Sequence, residues 1–175
     1  MPLYDYHPWD GGNNPNIDKI TNTILNLKTN KREKASFQEG AIKFFSKVIV
    51  SQLSHLVCDS PKSFCIVPSH EQGQLSYGLM KVMSNISEEF DFSNTDNLLV
   101  RTATVEKSAT GGDRSIQHHL DSLAAINHEF IEGKVIYLFD DISSTGNSMH
   151  ACKEILLSAG ALRVAMISFG QTWAG

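Results

Sequence analysis

The chain has 175 residues, of which 41% are apolar and 19% are charged, so it is long enough for one domain with a proper core and is unlike a disordered protein. Its 15 Lys and Arg face 19 Asp and Glu, which gives a net charge of -4. Proteins that bind nucleic acid mainly through its phosphates usually carry a basic excess or a basic run. Neither is present, so we expect nucleic acid not to be the main ligand.

The cysteines and the first residues indicate the compartment. Cys58, Cys65 and Cys152 form no CxxC pair and are odd in number, which favours reduced thiols over a disulfide scaffold or a zinc ribbon. The first ten residues lack the basic and apolar regions of a signal peptide, and no apolar run is long enough to cross a bilayer. We therefore expect a cytoplasmic protein without a membrane partner.

In chain order, the predicted elements begin with an irregular segment over 1–15, rich in Gly, Asn and Pro. Apolar residues then recur every three or four positions over 17–27 and again over 41–56, which predicts two amphipathic helices. After Pro61, short apolar runs alternate with amphipathic stretches. The runs predict strands at 64–67, 98–100, 135–139 and 164–167, and the stretches predict helices at 75–83, 115–126 and 147–158.

Short apolar strands separated by amphipathic helices indicate a parallel sheet covered on both faces. We therefore expect one α/β domain over 1–175 with a doubly wound sheet. It would comprise an N-terminal helical segment over 1–57 and an α/β core over 58–175. Ligands of such sheets bind beyond the carboxyl ends of the strands.

The segment 135–148, VIYLFDDISSTGNS, carries the strongest chemical signal. A buried strand leads to the adjacent carboxylates Asp140 and Asp141, and a small hydroxyl-rich turn then leads into a helix. The turn and the helix start offer backbone N–H groups that suit a phosphate dianion, and Gly146 removes a Cβ that would obstruct the approach. The carboxylates would repel phosphate but accept hydrogen bonds from a ribose diol. The pattern predicts a sugar-phosphate site.

This segment resembles the phosphoribosyl pyrophosphate signature of type I phosphoribosyltransferases, in which an apolar strand and two acids precede a Thr/Ser-Thr-Gly-x-Thr/Ser turn. The resemblance implies that Asp140 and Asp141 are catalytic, orient the ribose, and hold Mg²⁺ indirectly through ligand or water. It implies that the following turn binds the 5'-phosphate, through Ser143, Ser144, Thr145, Gly146, Asn147 and Ser148.

More narrowly, the chain resembles the ComF-like branch of that family. Leu27-Lys28 ends a predicted helix, Ile66-Val67-Pro68-Ser69-His70 looks like the pyrophosphate-binding loop, and Leu99-Val100-Arg101 leads into a long loop over 101–114. The resemblance implies that Arg101 and Lys107 are catalytic and that Ser69, His70 and Arg114 bind substrate. Gly111-Gly112 would be the hinge of this loop. The chain departs from the branch because it lacks a zinc ribbon and has Glu71-Gln72-Gly73-Gln74 where basic residues are common.

The resemblance also implies a small-molecule substrate, a nitrogenous acceptor held by a variable hood, and a homodimer as the common assembly. The N-terminal helices over 1–57 are the candidate hood. Phe169 to Trp173 would either stack on a base or seal the sheet edge.

Plainer readings stand beside these. The acid pair could simply cap a helix, the loop over 101–114 could be solvated, and His70 could be an exposed turn residue. For His118, His119 and Asp121 we predict a polar helix face and not a metal site, because adjacent helical side chains point about 100° apart.

Three functions fit these observations. The first is a phosphoribosyltransferase that binds phosphoribosyl pyrophosphate with Mg²⁺ and transfers the phosphoribosyl group to a nitrogenous acceptor. The second is a regulatory or interaction module that binds the same ligand with weak or no catalysis. The third is a nucleotide-targeting defence effector on the same scaffold.

Overall fold

A computed structural model describes residues 1–8, 14–28, 35–54, 60–105 and 116–172 of the chain. Several residues of the sequence-based predictions lie outside these ranges, namely Cys58, Lys107, Gly111, Gly112, Arg114 and Trp173.

The described residues form an α/β architecture. In chain order its elements are β1 (Pro2–Tyr6), α1 (Lys19–Lys28), α2 (Ala35–Leu53), β2 (Lys62–Ile66), α3 (Tyr77–Phe90), β3 (Leu99–Arg101), α4 (Ile116–Leu120), β4 (Leu123–Ala125), β5 (Val135–Ser143), α5 (Asn147–Ser158) and β6 (Arg163–Thr172). The central sheet has the order β1-β6-β5-β2, and all three pairings are parallel.

The alternation of side chains along β5 explains why the sheet is covered on both faces. Val135, Tyr137 and Phe139 pack in one core cluster with the apolar faces of α1, α2 and α3. Ile136 and Leu138 point the other way and pack in a second cluster with α5. The predicted doubly wound parallel sheet is confirmed, and α1 and α2 share the first of its two cores.

The sequence predicted an irregular segment over 1–15, but part of this segment is a strand. Residues Pro2–Tyr6 form the edge strand β1, which pairs in parallel with β6 from Pro2 opposite Ser168 to Tyr6 opposite Thr172. None of its residues is fully buried, so the strand lacks the continuous apolar run by which the inner strands were found.

The predicted strand at 98–100 is not part of the central sheet. Leu99–Arg101 forms β3, which pairs antiparallel with β4 in a separate two-stranded sheet. The edge of β2 is covered by two side chains: Asn94 bonds the N–H and C=O of Phe64 at 2.9 and 2.8 Å, and Asn97 bonds those of Ile66 at 2.7 and 2.9 Å. Each amide reproduces the two hydrogen bonds of a neighbouring strand.

The predicted helix over 115–126 was wrong in its second half. The helix α4 stops at Leu120, and Leu123–Ala125 is the strand β4. The hydroxyl of Ser122 donates to the carbonyls of His118 and His119, at 3.0 and 3.1 Å, and so satisfies the helix end.

Two further properties bear on the sequence analysis. Cys65 and Cys152 are buried free thiols. Within the described ranges, no helix combines the length and the apolarity needed to cross a bilayer.

Candidate functional site

The candidate site lies at the carboxyl edge of the sheet, where β2 and β5 end side by side. Ile66 pairs with Phe139, and the N–H of Val67 donates to the carbonyl of Phe139 at 2.9 Å. The chain then leaves β2 toward α3 on one face and β5 toward α5 on the other. This divergence opens the crevice in which ligands of doubly wound sheets bind.

Two adjoining cavities occupy this crevice. The larger, of about 590 Å³, lies between the end of α1, the loop from Pro68 to Ser76 and the acid pair. The smaller, of about 170 Å³, is formed by the residues from Ile142 to Met149. Asp140, Ser148 and His119 line both cavities, so one elongated ligand could span them.

Every predicted site residue that the structure describes lines one of these cavities. The larger is lined by Ser69, His70, Arg101, Asp140, Asp141 and Ser148, and the smaller by Ser143 through Ser148 together with Asp140. The structure therefore brings these residues together, and their individual roles remain predictions.

The two acids lie within β5, which continues to Ser143 beyond the predicted strand end at Phe139. As consecutive strand residues they face opposite sides of the sheet: Asp141 faces α1, and Asp140 borders the cavity at the start of α5. Burial, reinforced by the neighbouring Asp141 carboxylate, raises the pKa of Asp140 well above its ordinary value, although Lys28 opposes the shift.

Lys28 is a site residue that chemical reasoning on the motif missed. Its Nζ lies 3.1 Å from Oδ1 of Asp141, and its side chain is 44% exposed. Partial burial lowers the pKa of Lys28, but attraction to Asp141 and Asp140 outweighs burial and gives a net rise. The residue is therefore a cation at the wall of the larger cavity.

Close packing of two helices sets the position of Lys28. A Cβ added to Gly78 in α3 would lie 2.2 Å from the carbonyl oxygen of Leu27, so α3 can approach the end of α1 only because residue 78 is a glycine. The buried Leu27 side chain anchors the same turn in the core. The contact fixes the last turn of α1 beside the acid pair.

The turn before α5 presents free backbone donors. Among the described residues, no group accepts a hydrogen bond from the N–H of Thr145, Gly146 or Ser148, and no side chain caps the helix at Gly146. The N–H of Asn147 reaches the hydroxyl of Thr145 at 3.4 Å. An uncapped helix start of this kind carries positive partial charge and favours an anion.

Gly146 has a different structural reason from the one that the sequence suggested. An added Cβ would make only ordinary contacts, the nearest at 3.5 Å with His150. The backbone φ of Gly146 is +80°, in the left-handed region that glycine adopts without strain. The glycine is needed to aim the chain into α5.

The hydroxyl and carbonyl of Ser144 tie the turn to the neighbouring strand. The Ser144 hydroxyl lies 2.9 Å from that of Thr172, and the amide of Gln171 donates to the Ser144 carbonyl at 2.8 Å. These bonds to β6 position the turn, whose residues line the smaller cavity.

His119 is a second site residue that was missed. It is buried, lines both cavities and places Nε2 3.2 Å from the hydroxyl of Ser148. The predicted polar helix face is therefore wrong for His119. No cluster of three or more His, Cys, Asp or Glu able to hold a metal occurs within the described ranges.

Several backbone N–H groups of the loop from Pro68 to Ser76 already donate hydrogen bonds to other groups of the fold. The amides of Ser69, Gln72, Gly73 and Gln74 donate to the Gln74 carbonyl, the Thr104 hydroxyl, the Arg101 carbonyl and the Glu71 carbonyl, respectively. Nε2 of His70 lies 3.5 Å from a carboxylate oxygen of Glu71. This loop offers no Lys or Arg side chain to an anion.

Arg101 braces this loop. Its Nε donates to the Ser69 carbonyl at 2.8 Å, and its terminal nitrogens reach Ser122 Oγ at 2.6 Å and the Pro68 carbonyl at 3.5 Å. The side chain is buried, and burial lowers the pKa of the guanidinium. These contacts favour a positioning role for Arg101 at the cavity wall.

Comparisons with known proteins give distant likenesses. No protein-family model and no curated protein matches the chain. Among solved structures, a hypoxanthine phosphoribosyltransferase from Staphylococcus aureus is 17% identical with a TM-score of 0.47, over 73% of this chain and 61% of that one. UMP synthase from Leishmania donovani is 13% identical with a TM-score of 0.45, over 86% of this chain and 31% of that one.

A phosphoribosylpyrophosphate synthetase from Mycobacterium smegmatis is 17% identical with a TM-score of 0.40, over 73% of this chain and 33% of that one. The chain thus spans less than two thirds of the length of each of these proteins. Its function has to be argued from its own site.

Proposed function

We propose that this chain is a phosphoribosyltransferase that binds phosphoribosyl pyrophosphate with Mg²⁺ and transfers the phosphoribosyl group to a nitrogenous acceptor. One observation carries the proposal: the turn before α5, whose amides are uncapped, lines a small cavity that adjoins the acid pair. An anion receptor beside a hydrogen-bond acceptor for hydroxyls suits a ribose that carries a 5'-phosphate.

The smaller cavity would take the 5'-phosphate. Its amides at Thr145, Gly146 and Ser148 supply donors without a formal positive charge, and the start of α5 adds its partial charge. The ribose would lie where the two cavities join, with its hydroxyls toward Asp140 and Asp141. The remaining group on the anomeric carbon would then extend into the larger cavity.

The donor set fits Mg²⁺ bound largely through ligand and water. Mg²⁺ keeps several waters and is usually held by one or two carboxylates together with substrate phosphates. Asp140 is the better placed of the two acids, because Asp141 is already paired with Lys28. When bound, the cation would neutralise charge on the pyrophosphate.

In the proposed reaction, the bond between the anomeric carbon and the pyrophosphate oxygen breaks, and pyrophosphate leaves with the electron pair. A bond forms from that carbon to the acceptor nitrogen, which then gives up its proton to water. Positive charge that develops on the ring would be stabilised by the adjacent carboxylates.

Isothermal titration with phosphoribosyl pyrophosphate and Mg²⁺ tests the binding step. We expect the wild type to bind and Asp140→Asn and Asp141→Asn to bind more weakly, because each loses an ionic acceptor for a ribose hydroxyl. Equal binding by all three proteins would remove the acid pair from the mechanism. Release of pyrophosphate in the presence of a panel of nucleobases then tests transfer.

The loop from Pro68 to Ser76 favours a second candidate, a module that binds the ligand without transferring its phosphoribosyl group. The loop contains no Lys or Arg, carries Glu71, and has four amides that already donate to other groups of the fold. A leaving pyrophosphate would gain little stabilisation from it. Tight binding without pyrophosphate release for any acceptor would support this candidate over the transferase.

A further inference from the structure

The larger cavity is lined by more Asp and Glu than Lys and Arg side chains, which is unfavourable for a pyrophosphate. Three carboxylates face it, from Glu71, Asp140 and Asp141. Lys28 and Arg101 are the Lys and Arg side chains among its described lining residues. A dense anion in this cavity needs positive charge that can reach it.

Arg101 is poorly suited to supply that charge. Each of its three guanidinium nitrogens already donates to a carbonyl or hydroxyl of the fold, and the residue is only 2% exposed. Moving the guanidinium to a ligand would leave the carbonyls of Pro68 and Ser69 without their donor. Such a loss is costly at a buried position.

Lys28 has the reach and the spare donors. An ammonium has three N–H groups, and the ion pair with Oδ1 of Asp141 uses one of them. The side chain is 44% exposed, whereas the Asp141 side chain is only 11% exposed. Lys28 can therefore keep its ion pair with Asp141 while its remaining N–H groups are available to a ligand in the cavity.

We propose that Lys28 binds the pyrophosphate group of the ligand, and that it supplies the positive charge missing from the loop between β2 and α3. This inference rests on the proposed function, because it assumes that the ribose phosphate occupies the acid pair and the turn. The pyrophosphate then lies in the larger cavity, where Lys28 is. The ion pair with Asp141 aims the ammonium at that position.

A purely structural ion pair between Lys28 and Asp141 would behave differently. Removal of Lys28 from such a pair would act only through the uncompensated Asp141 charge, so the loss of affinity should disappear once Asp141 is also neutralised. Loss of a direct contact to pyrophosphate would discriminate between ligands. It would lower the affinity for phosphoribosyl pyrophosphate and inorganic pyrophosphate and leave the affinity for ribose 5-phosphate nearly unchanged.

Isothermal titration of the full chain with Mg²⁺ and these three probes provides the test. The variants are Lys28→Met, Lys28→Arg, Asp141→Asn and the double variant Lys28→Met/Asp141→Asn. Lys19→Met, an exposed lysine at the other end of α1, is the matched control. Circular dichroism checks that each variant folds, and Lys28→Arg keeps the charge if Lys28→Met does not fold.

We expect Lys28→Met to lose about tenfold or more in affinity for phosphoribosyl pyrophosphate, as for a charged hydrogen bond, and to lose much less for ribose 5-phosphate. The loss should persist in the Asp141→Asn background. Lys28→Arg should retain most of the affinity, and Lys19→Met should match the wild type.

An equal loss for both sugar ligands, or a loss that disappears when Asp141 is neutralised, would overturn the assignment of Lys28. If the wild type binds ribose 5-phosphate, the proposed phosphate and ribose sites stand even when the result for Lys28→Met overturns the assignment of Lys28. A wild type that binds neither sugar ligand would instead reject the proposed function itself.

Discussion

Nε2 of His119 lies 3.2 Å from the hydroxyl of Ser148, so a residue of the short helix α4 supports the first turn of α5. His119 also connects to the opposite side of the cavity. Its carbonyl accepts from Ser122, whose hydroxyl accepts in turn from Arg101, and Arg101 holds the carbonyl of Ser69. One chain of contacts thus joins the turn before α5 to the loop after β2.

Removal of His119 should weaken phosphate binding. We expect His119→Ala to lower the affinity for ribose 5-phosphate about two- to tenfold, because the Ser148 hydroxyl loses the partner that orients it. Titration calorimetry measures this. His118→Ala is the control, since His118 lies next in α4 but lines neither cavity, and identical affinities for the two variants would contradict the role given to His119.

Substitution of two glycines should change stability in opposite directions. Gly146→Ala places a Cβ on a residue at φ +80° and should destabilise the fold by about 1–2 kcal/mol. Gly40→Ala, at an exposed helical position with no atom near the new Cβ, should stabilise it by roughly 0.5–1 kcal/mol. Urea unfolding measures both changes, and a neutral Gly146→Ala would show that the turn tolerates a side chain.

Substitution of Asp140 should stabilise the fold but weaken ligand binding. Because burial and Asp141 raise the pKa of Asp140 in the folded state, its ionised form costs stability at pH values above that pKa. Asp140→Asn should therefore raise the melting temperature at neutral pH while it weakens ligand binding. The gain should shrink as the pH falls and the native carboxyl takes up its proton. Thermal unfolding across pH measures it, and a pH-independent difference would contradict the raised pKa.

The side-chain amide of Asn97, which covers part of the edge of β2, should contribute to the stability of the fold. Asn97→Ala leaves the buried N–H and C=O of Ile66 without their partner and should cost roughly 2–4 kcal/mol in the free energy of unfolding. Asn85→Ala, at an exposed position on α3, should change it by less than about 0.5 kcal/mol. Similar values for the two variants would argue that the β2 edge is solvated and not covered by Asn97.

The part of the site that could be predicted is local in sequence. The run from Val135 to Phe139 is fully apolar because β5 is buried on both faces, and α5 begins and ends where its pattern indicates, at Asn147 and Ser158. Strand, acid pair, turn and helix are consecutive, so their order alone brings the donors and acceptors together.

The rest of the site depends on packing between distant segments. Lys28 reaches Asp141 because Gly78 admits the α1 backbone, and no local pattern around either residue encodes that contact. The strand at Leu99–Arg101 was assigned to the wrong sheet for a similar reason. An apolar run predicts a strand but not the strand with which it pairs, and β3 pairs with β4. The edge of β2 bonds instead to the side chains of Asn94 and Asn97.

We expect the amides before α5 to bind the phosphate while the adjacent carboxylates bind the sugar. A crystal structure of the chain with ribose 5-phosphate tests this most directly. We predict phosphate oxygens within hydrogen-bond distance of the N–H groups of Thr145, Gly146 and Ser148, with ribose hydroxyls toward Asp140 and Asp141. A phosphate seated instead on the loop from Pro68 to Ser76, with the turn before α5 left to solvent, would contradict the account.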